Sequence, residues 1–351
     1  MKPSIHTLRS PSGIVLKAST LGGIVTELLV PDRTGRPGNV VLSLPDARDH
    51  LANGYMNALI GRVGNRVSRG GFELDGVFHP LAKNSGKGSR TCHLHGGTSG
   101  FDKHVWSARE FAGADGPSLE LTTFSPDGEE GYPGNLAVRV VYTLAGPGTW
   151  RIEYWAVTDR PTVVNLTQHA YFNLSGGTRD VSDHTLFVNA SRFTEVDAAL
   201  LPTGRVPPVA GTALDLADPT APRRLGDLFA RAGKDRQLKL VGGGLDHNFV
   251  LDRAPAGGLS HAARFADPAS GRCMDVFTTE PCMQVYSANF LAPGLKGRGG
   301  AVYGPHWACC FETQHAPDSP NQPGFPPIRL DPGSVYHSVT EYTFFVDEPA
   351  G

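Results

Sequence analysis

The stretch Val138-Arg-Val-Val-Tyr-Thr-Leu-Ala-Gly-Pro-Gly-Thr-Trp-Arg-Ile-Glu-Tyr-Trp-Ala156 decides the fold. Val138, Val140, Tyr142 and Leu144 take every second position, alternating with Arg139, Val141 and Thr143. Period-two spacing puts one set of side chains on a single face of a strand. Ala145-Gly-Pro-Gly148 then turns the chain, and Trp150, Ile152, Tyr154 and Ala156 resume the same spacing. The two arms read as neighbouring strands of a large sheet. Working outward, similar runs occur at Ile14-Val-Leu16, Gly23 to Val30, Val40-Val-Leu42, Thr185 to Val188, His247 to Leu251, Arg272 to Thr278, Met283 to Tyr286 and Tyr342 to Val346. Phe72-Glu-Leu-Asp75-Gly76-Val-Phe-His places Asp-Gly between two apolar-alternating arms, a strong hairpin signal. One short helix is expected from about Arg223 to Arg231, where Leu225, Leu228 and Phe229 share a face. Strands spread this evenly, without helical crossovers, argue against a parallel α/β sheet. The expected class is all-β: one large antiparallel β-sandwich with very little helix, a single domain over residues 1–351.

Composition narrows the function. The chain has 43 Gly and 28 Pro, so turns are many and loops should carry the chemistry. Its 32 basic residues against 34 acidic ones leave no electrostatic footprint for nucleic acid or an anionic membrane. The partner expected is a small, roughly neutral molecule. The first ten residues carry no apolar run after Lys2, and no stretch reads as a membrane span, so the expected location is cytoplasmic. Cys92, Cys273, Cys282, Cys309 and Cys310 are odd in number and without paired spacing, and read as reduced, mostly buried thiols.

Residues able to do chemistry are scattered, as expected where strands from distant parts of a sandwich converge on one cleft. His169 lies in Asn165-Leu-Thr-Gln-His-Ala-Tyr-Phe-Asn-Leu-Ser-Gly176, among amides, aromatics and apolar residues that can tune an imidazole near neutral pH. Glu312 follows the apolar run Ala308-Cys-Cys-Phe311, and partial desolvation there raises a carboxyl from about 4.3 toward neutrality. Asn65 and Arg66 sit in Ile60-Gly-Arg-Val-Gly-Asn-Arg-Val67, whose glycines would let a ligand approach the backbone. His95 stands beside Gly96 and Gly97, with His93 two positions earlier and on the same face if the segment is extended. Asp246, His247, Gln284 and His315 complete the candidates. A His-x-His pair joined by His169 and Glu312 also suits zinc or iron. There is no dinucleotide loop and no P-loop.

With those residues assembled, the chain resembles the aldose 1-epimerase (mutarotase) family from about Leu21 to Phe345. The resembling blocks are Gly61 to Arg66, Leu94 to Lys103 with Trp106, Ser125 to Gly134, Asn165 to Gly176, Leu245 to Phe249, Thr278 to Pro281 with Gln284, and Phe311 to His315 leading to Asn321-Gln-Pro323. The resemblance implies a mutarotase-like supersandwich and an enzyme interconverting α and β anomers of free aldoses such as galactose or glucose, without cofactor or metal. By the same resemblance Glu312 is the general base, His169 the general acid and His95 a second histidine near the ring oxygen. Asn65, Arg66, Asp246 and Gln284 are then sugar ligands, and Tyr171 or Trp307 lies beside the sugar's apolar face. A monomer or homodimer is expected. Two stretches depart from the family pattern: Asn84 to His93 is longer and more basic, and Cys282 stands where glycine is usual.

Three other readings stand beside this one. A sugar-binding module would keep the cleft without proton transfer. A metal enzyme would use His93, His95, His169 and Glu312. A hexose-phosphate 1-epimerase would want cations at the cleft, with Lys83, Lys87 and Arg90 the candidates.

Overall fold

A computed structural model describes residues 2–86, 91–253 and 258–347. Its centre is a nine-stranded antiparallel sheet. Leu136–Ala145 and Thr149–Thr158 lie side by side within it, with Val138 opposite Ala156 and Leu144 opposite Trp150. Every residue of the apolar set read from the sequence is buried: Val138, Val140, Tyr142, Leu144, Trp150, Ile152, Tyr154 and Ala156. Arg272–Thr278 and the long strand Tyr336–Val346 extend this sheet on one side, Pro117–Ser125 and Ser107–Ala112 on the other. The last two give no strong sequence signal. Ser107–Ala112 is an edge strand without a fully buried residue, so no face had to be apolar.

Two four-stranded sheets cover the inner face. The first runs Ile5–Arg9, Val15–Ser19, Val25–Pro31, Pro37–Asn39. The second runs Arg192–Phe193, Asp246–Val250, Cys282–Tyr286, Cys310–Gln314. Leu16, Val25 and Leu28 from the first, and Phe249, Met283, Val285 and Phe311 from the second, join Tyr142, Trp150, Met274 and Tyr342 of the large sheet in one continuous core. Polar tips tie the layers together: Tyr342 Oη donates to Phe311 O at 2.8 Å, and Tyr142 Oη to Gly23 O at 2.8 Å. This is a mostly-sheet sandwich, as expected.

Local detail agrees in some places and differs in others. The Asp75-Gly76 hairpin forms between Gly71–Leu74 and Val77–Pro80, both turn residues having positive φ as a two-residue turn requires. Around Val40 to Leu42 the expected strand is instead a buried segment bridged at Val41 to Phe172, and the ladder strand lies earlier, at Pro37–Asn39. The expected helix shortens to Leu225–Phe229, and two further short helices occur at Ala47–Ala52 and Arg236–Leu240. All five cysteines are free and buried. Among the described residues no helix is long and apolar enough to cross a membrane.

Candidate active site

Strand alternation builds one wall of the site. On Cys310–Gln314, Phe311 enters the core and Thr313 reaches Thr340 of the large sheet, so Glu312 must point the other way. Met283 and Val285 on the next strand, and Phe249 on the one after, impose the same choice on Gln284 and Asp246. The register puts Gln284 directly opposite Glu312 and Asp246 opposite Tyr286. Gln284 Nε2 then donates to Asp246 Oδ1 at 2.7 Å. Three polar side chains far apart in sequence become neighbours on one face.

The facing wall comes from residues 165–169 and two glycine-rich turns. Thr167–Gln168 pairs with Leu59–Ile60, and the His169 backbone continues that pairing, its N–H donating to Ala58 O and its carbonyl accepting from Asn57 N. Asn165 side-chain atoms zip onto the His315 backbone at 3.0 and 3.1 Å, tying this segment to the Glu312 strand. His169 Nε2 therefore lies 3.6 Å from Glu312 Oε1. Asn65 and His95 both adopt left-handed backbone conformations, and each N–H reaches the other residue: His95 N donates to Asn65 O, and Asn65 N to His95 Nδ1 at 3.1 Å. Gly96 makes the turn possible, since a Cβ there would sit 1.8 Å from Gly61 O.

Asn65, Arg66, His95, His169, Asp246 and Glu312 line one cleft of about 360 Å³ with Tyr55, Tyr171, Tyr286, Phe290 and Leu291. Gln284 stands behind Asp246, touching it directly. Of the residues expected from the sequence, Asn65, Arg66, His95, His169, Asp246 and Glu312 line this cleft, whereas His93, His247, His315 and Trp307 do not. Tyr171 stacks on the His169 ring at 5.1 Å, and Tyr55 packs against His95 at 4.6 Å.

Electrostatics follow from depth. Burial brings His169 down to about 4 and pushes His95 well below the ordinary imidazole range. Burial, reinforced by the nearby Asp246 charge, raises Glu312 well above an ordinary carboxyl against the opposing pull of Arg66. Asp246 is raised too, by burial, with Arg66 and Gln284 opposing. Burial thus disfavours the charged form of both Glu312 and His169. The neutral pair and the ion pair are the same proton count, differing by one transfer across 3.6 Å. Such a pair can take a proton from one oxygen and give one to another without exchanging protons with solvent.

Several expectations need correction. His93 does not share the cleft with His95: the left-handed turn at His95 breaks the extended alternation, and His93 is buried elsewhere, bonded to Ala82 O and to Tyr132 Oη, both at 2.7 Å. The proposed metal quartet is therefore broken. Donor atoms of His95, His169 and Glu312 do lie within 4.8 Å of one another. His95, however, has its Nδ1 lone pair taken by the Asn65 N–H, so the neutral ring carries its proton on Nε2 and has none left for an ion. The glycines before Arg66 serve packing: a Cβ on Gly64 would meet Gln314 Oε1 at 2.9 Å and one on Gly61 would meet Phe101 at 2.3 Å. Trp307 packs against Tyr303 outside the cleft. His247 faces Phe193, on the opposite side of its strand from Asp246. Cys282 packs with Ala316 and Phe325. Lys83 lies along Gly70, while Lys87 and Arg90 fall outside the described residues, so Arg66 is the one Lys or Arg lining the cleft among those described.

Residues 4–343 match the family described as aldose 1-epimerase. The chain belongs to the aldose 1-epimerase family. Among members, it is 43% identical over 327 residues to the galactose mutarotase of Sus scrofa, covering 93% of this chain and 89% of that one. It is 32% identical over 345 residues to the aldose 1-epimerase of Escherichia coli, covering 97% and 95%. Among solved structures, an aldose epimerase homologue from C. elegans superposes with a TM-score of 0.87 at 26% identity, over 99% of this chain and all of that one. Aldose 1-epimerases are isomerases, and this cleft brings a carboxyl and an imidazole within 3.6 Å of each other. Sequence reading missed Tyr286, at the end of its strand, and Tyr55, Phe290 and Leu291, which reach the cleft from loops.

Proposed function

We propose that this chain interconverts the α and β anomers of free aldoses of the galactose and glucose type, with Glu312 as base and His169 as acid. The observation that carries this is the 3.6 Å between Glu312 Oε1 and His169 Nε2 inside one cleft. The anomeric hydroxyl and the ring oxygen of a pyranose share one carbon, so two groups this close can reach both at about 2.6–3.2 Å. Glu312 takes the anomeric hydroxyl proton while His169 gives one to the ring oxygen. The C1–O5 bond breaks, leaving an aldehyde at C1 and a hydroxyl at C5. Rotation about C1–C2 offers the other carbonyl face, and the same transfers run in reverse. No oxidation state changes.

The remaining residues bind and polarise. His95, held as its Nε2–H tautomer by Asn65, is a neutral donor suited to the ring oxygen rather than a base. Arg66 supplies positive charge beside Glu312 and Asp246, favouring their ionised forms. Asp246, oriented by Gln284, accepts sugar hydroxyls, and Asn65 adds an amide. Because the site draws on residues from Asn65 to Glu312, we read the chain as one functional unit.

Polarimetry on freshly dissolved α-galactose and α-glucose tests the reading. Wild type should accelerate the approach to equilibrium, and Glu312→Gln and His169→Asn should each remove most of that acceleration. Equal rates with and without wild-type protein, alongside measurable sugar binding, would make this a binding module instead.

A further inference from the structure

A pyranose offers hydroxyls around its edge and C–H groups on its faces. Asp246, Arg66 and Asn65 account for the edge. The faces want a flat apolar surface with one side free, and the rings of the cleft differ in this respect. Tyr171 gives a face to His169 and is 4% exposed. Tyr286 stands edge-on to His169 at 6.1 Å and is 8% exposed. Tyr55 has His95 packed against it and Lys103 Nζ 5.1 Å over its ring.

Phe290 is different. It is 58% exposed, and of the described large hydrophobic side chains that stand exposed it is the one lining the cleft. An exposed aromatic ring is ordinarily a mobile liability, but this one is held. Its N–H donates to Tyr286 Oη at 2.9 Å, and its ring stacks on Tyr286 with centroids 6.3 Å apart and planes 20° apart. Gly242 packs against the ring edge so closely that a Cβ there would lie 2.8 Å from Cε1. Tyr286 covers one side, and the ring stays open at the cleft mouth.

We propose that Phe290 is the stacking platform for the C–H face of the bound aldopyranose, a substrate-contacting residue that sets affinity rather than turnover. This rests on the sugar lying between Glu312 and His169. Stacking a C–H face on a held ring is worth little until the sugar arrives and is then the same for ring-closed ground state and early transition state, so its loss appears in KM.

The test measures steady-state mutarotation of D-galactose by Phe290→Ala and Phe290→Tyr. The alanine variant should melt like wild type, raise KM about threefold to tenfold and leave kcat within about twofold. The tyrosine variant, which keeps the ring, should have a KM within about twofold of wild type. A direct binding readout uses Phe290→Trp in a Glu312→Gln background, where saturating D-galactose should change the tryptophan emission. An unchanged KM in Phe290→Ala, a fall in kcat at constant KM, a tyrosine variant as impaired as alanine, or an unresponsive tryptophan would each overturn the proposal. Undiminished turnover in Glu312→Gln would instead overturn the acid–base assignment, and would appear in kcat whatever the Phe290 series gave.

Discussion

Two glutamate–histidine pairs flank the same strand and behave oppositely. Glu280 and His315 meet at 2.7 Å, Oε2 to Nδ1, and Tyr336 Oη donates to the other carboxylate oxygen at 3.2 Å. Glu312 and His169, begun three residues earlier on that strand, stand 3.6 Å apart, and Glu312 Oε2 and His169 Nδ1 have no hydrogen-bond partner among the described residues. In the first pair both carboxylate oxygens are hydrogen-bonded, and the pair lines a separate cavity with Ile328, Leu330 and Val335. The second is held by its backbone and by ring packing on His169, and keeps its polar atoms available. A carboxylate and an imidazole in contact hold structure together; the same groups kept just out of contact in a buried cleft are ready to act on something placed between them.

Breaking the second pair should have the largest effect. Glu312→Gln or His169→Asn should each lower kcat/KM about 10²- to 10⁴-fold by polarimetry while leaving the melting temperature near that of wild type. A loss of less than about tenfold in both would place the proton transfers elsewhere.

The pH dependence sharpens the same contrast. Activity requires one proton on the Glu312–His169 pair. As pH falls through the lowered His169 value, about 4, the pair gains a second proton and has no base, so the rate drops. As pH rises past the raised Glu312 value, the pair loses its proton and has no acid. The profile of kcat/KM should show an acid limb near pH 4, its limiting slope about tenfold per unit, and an alkaline limb displaced upward from the ordinary carboxyl range. An acid limb near the free-imidazole value of about 6.5 would show that His169 is not desolvated in the working enzyme.

A smaller effect is expected from Gly96→Ala, which crowds Gly61 O at a position of φ +81. It should destabilise the protein by about 1–3 kcal/mol in urea unfolding and lower kcat/KM by moving His95. Wild-type stability would mean that the two turns are less tightly joined than their geometry indicates. Catalysis should be least affected by Glu280→Gln, which weakens the hydrogen bond to His315. Stability should fall by about 1.5–3 kcal/mol, while kcat and both pH limbs remain close to wild type. A large loss of kcat there would erase the distinction between the pairs.

Much of this was legible in the sequence, for physical reasons that differ by region. Strict alternation around Val138 and Trp150 fixed two central strands, because a face buried in a sandwich must be apolar at every second position. Alternation also explains why Asp246, Gln284 and Glu312 cluster, since each lies on the face of its strand opposite the core residues Phe249, Met283 with Val285, and Phe311. His93 and His95 show where that rule stops. They differ by two positions, yet one left-handed residue sends them to different environments. Phe290 could not be recognised, because an exposed aromatic in a loop has no periodicity to mark it. Its significance comes from Tyr286 and Gly242 fixing it at the mouth of the cleft.

The most direct test of Glu312 and His169 as one proton-shuttling unit is a double-variant cycle, with anomeric exchange of galactose measured for Glu312→Gln, His169→Asn and the two combined. Groups that act as a unit lose their contribution once, so the double variant should fall within about threefold of the worse single variant. Losses that multiply, or single variants that still exchange anomers at the wild-type rate, would contradict it.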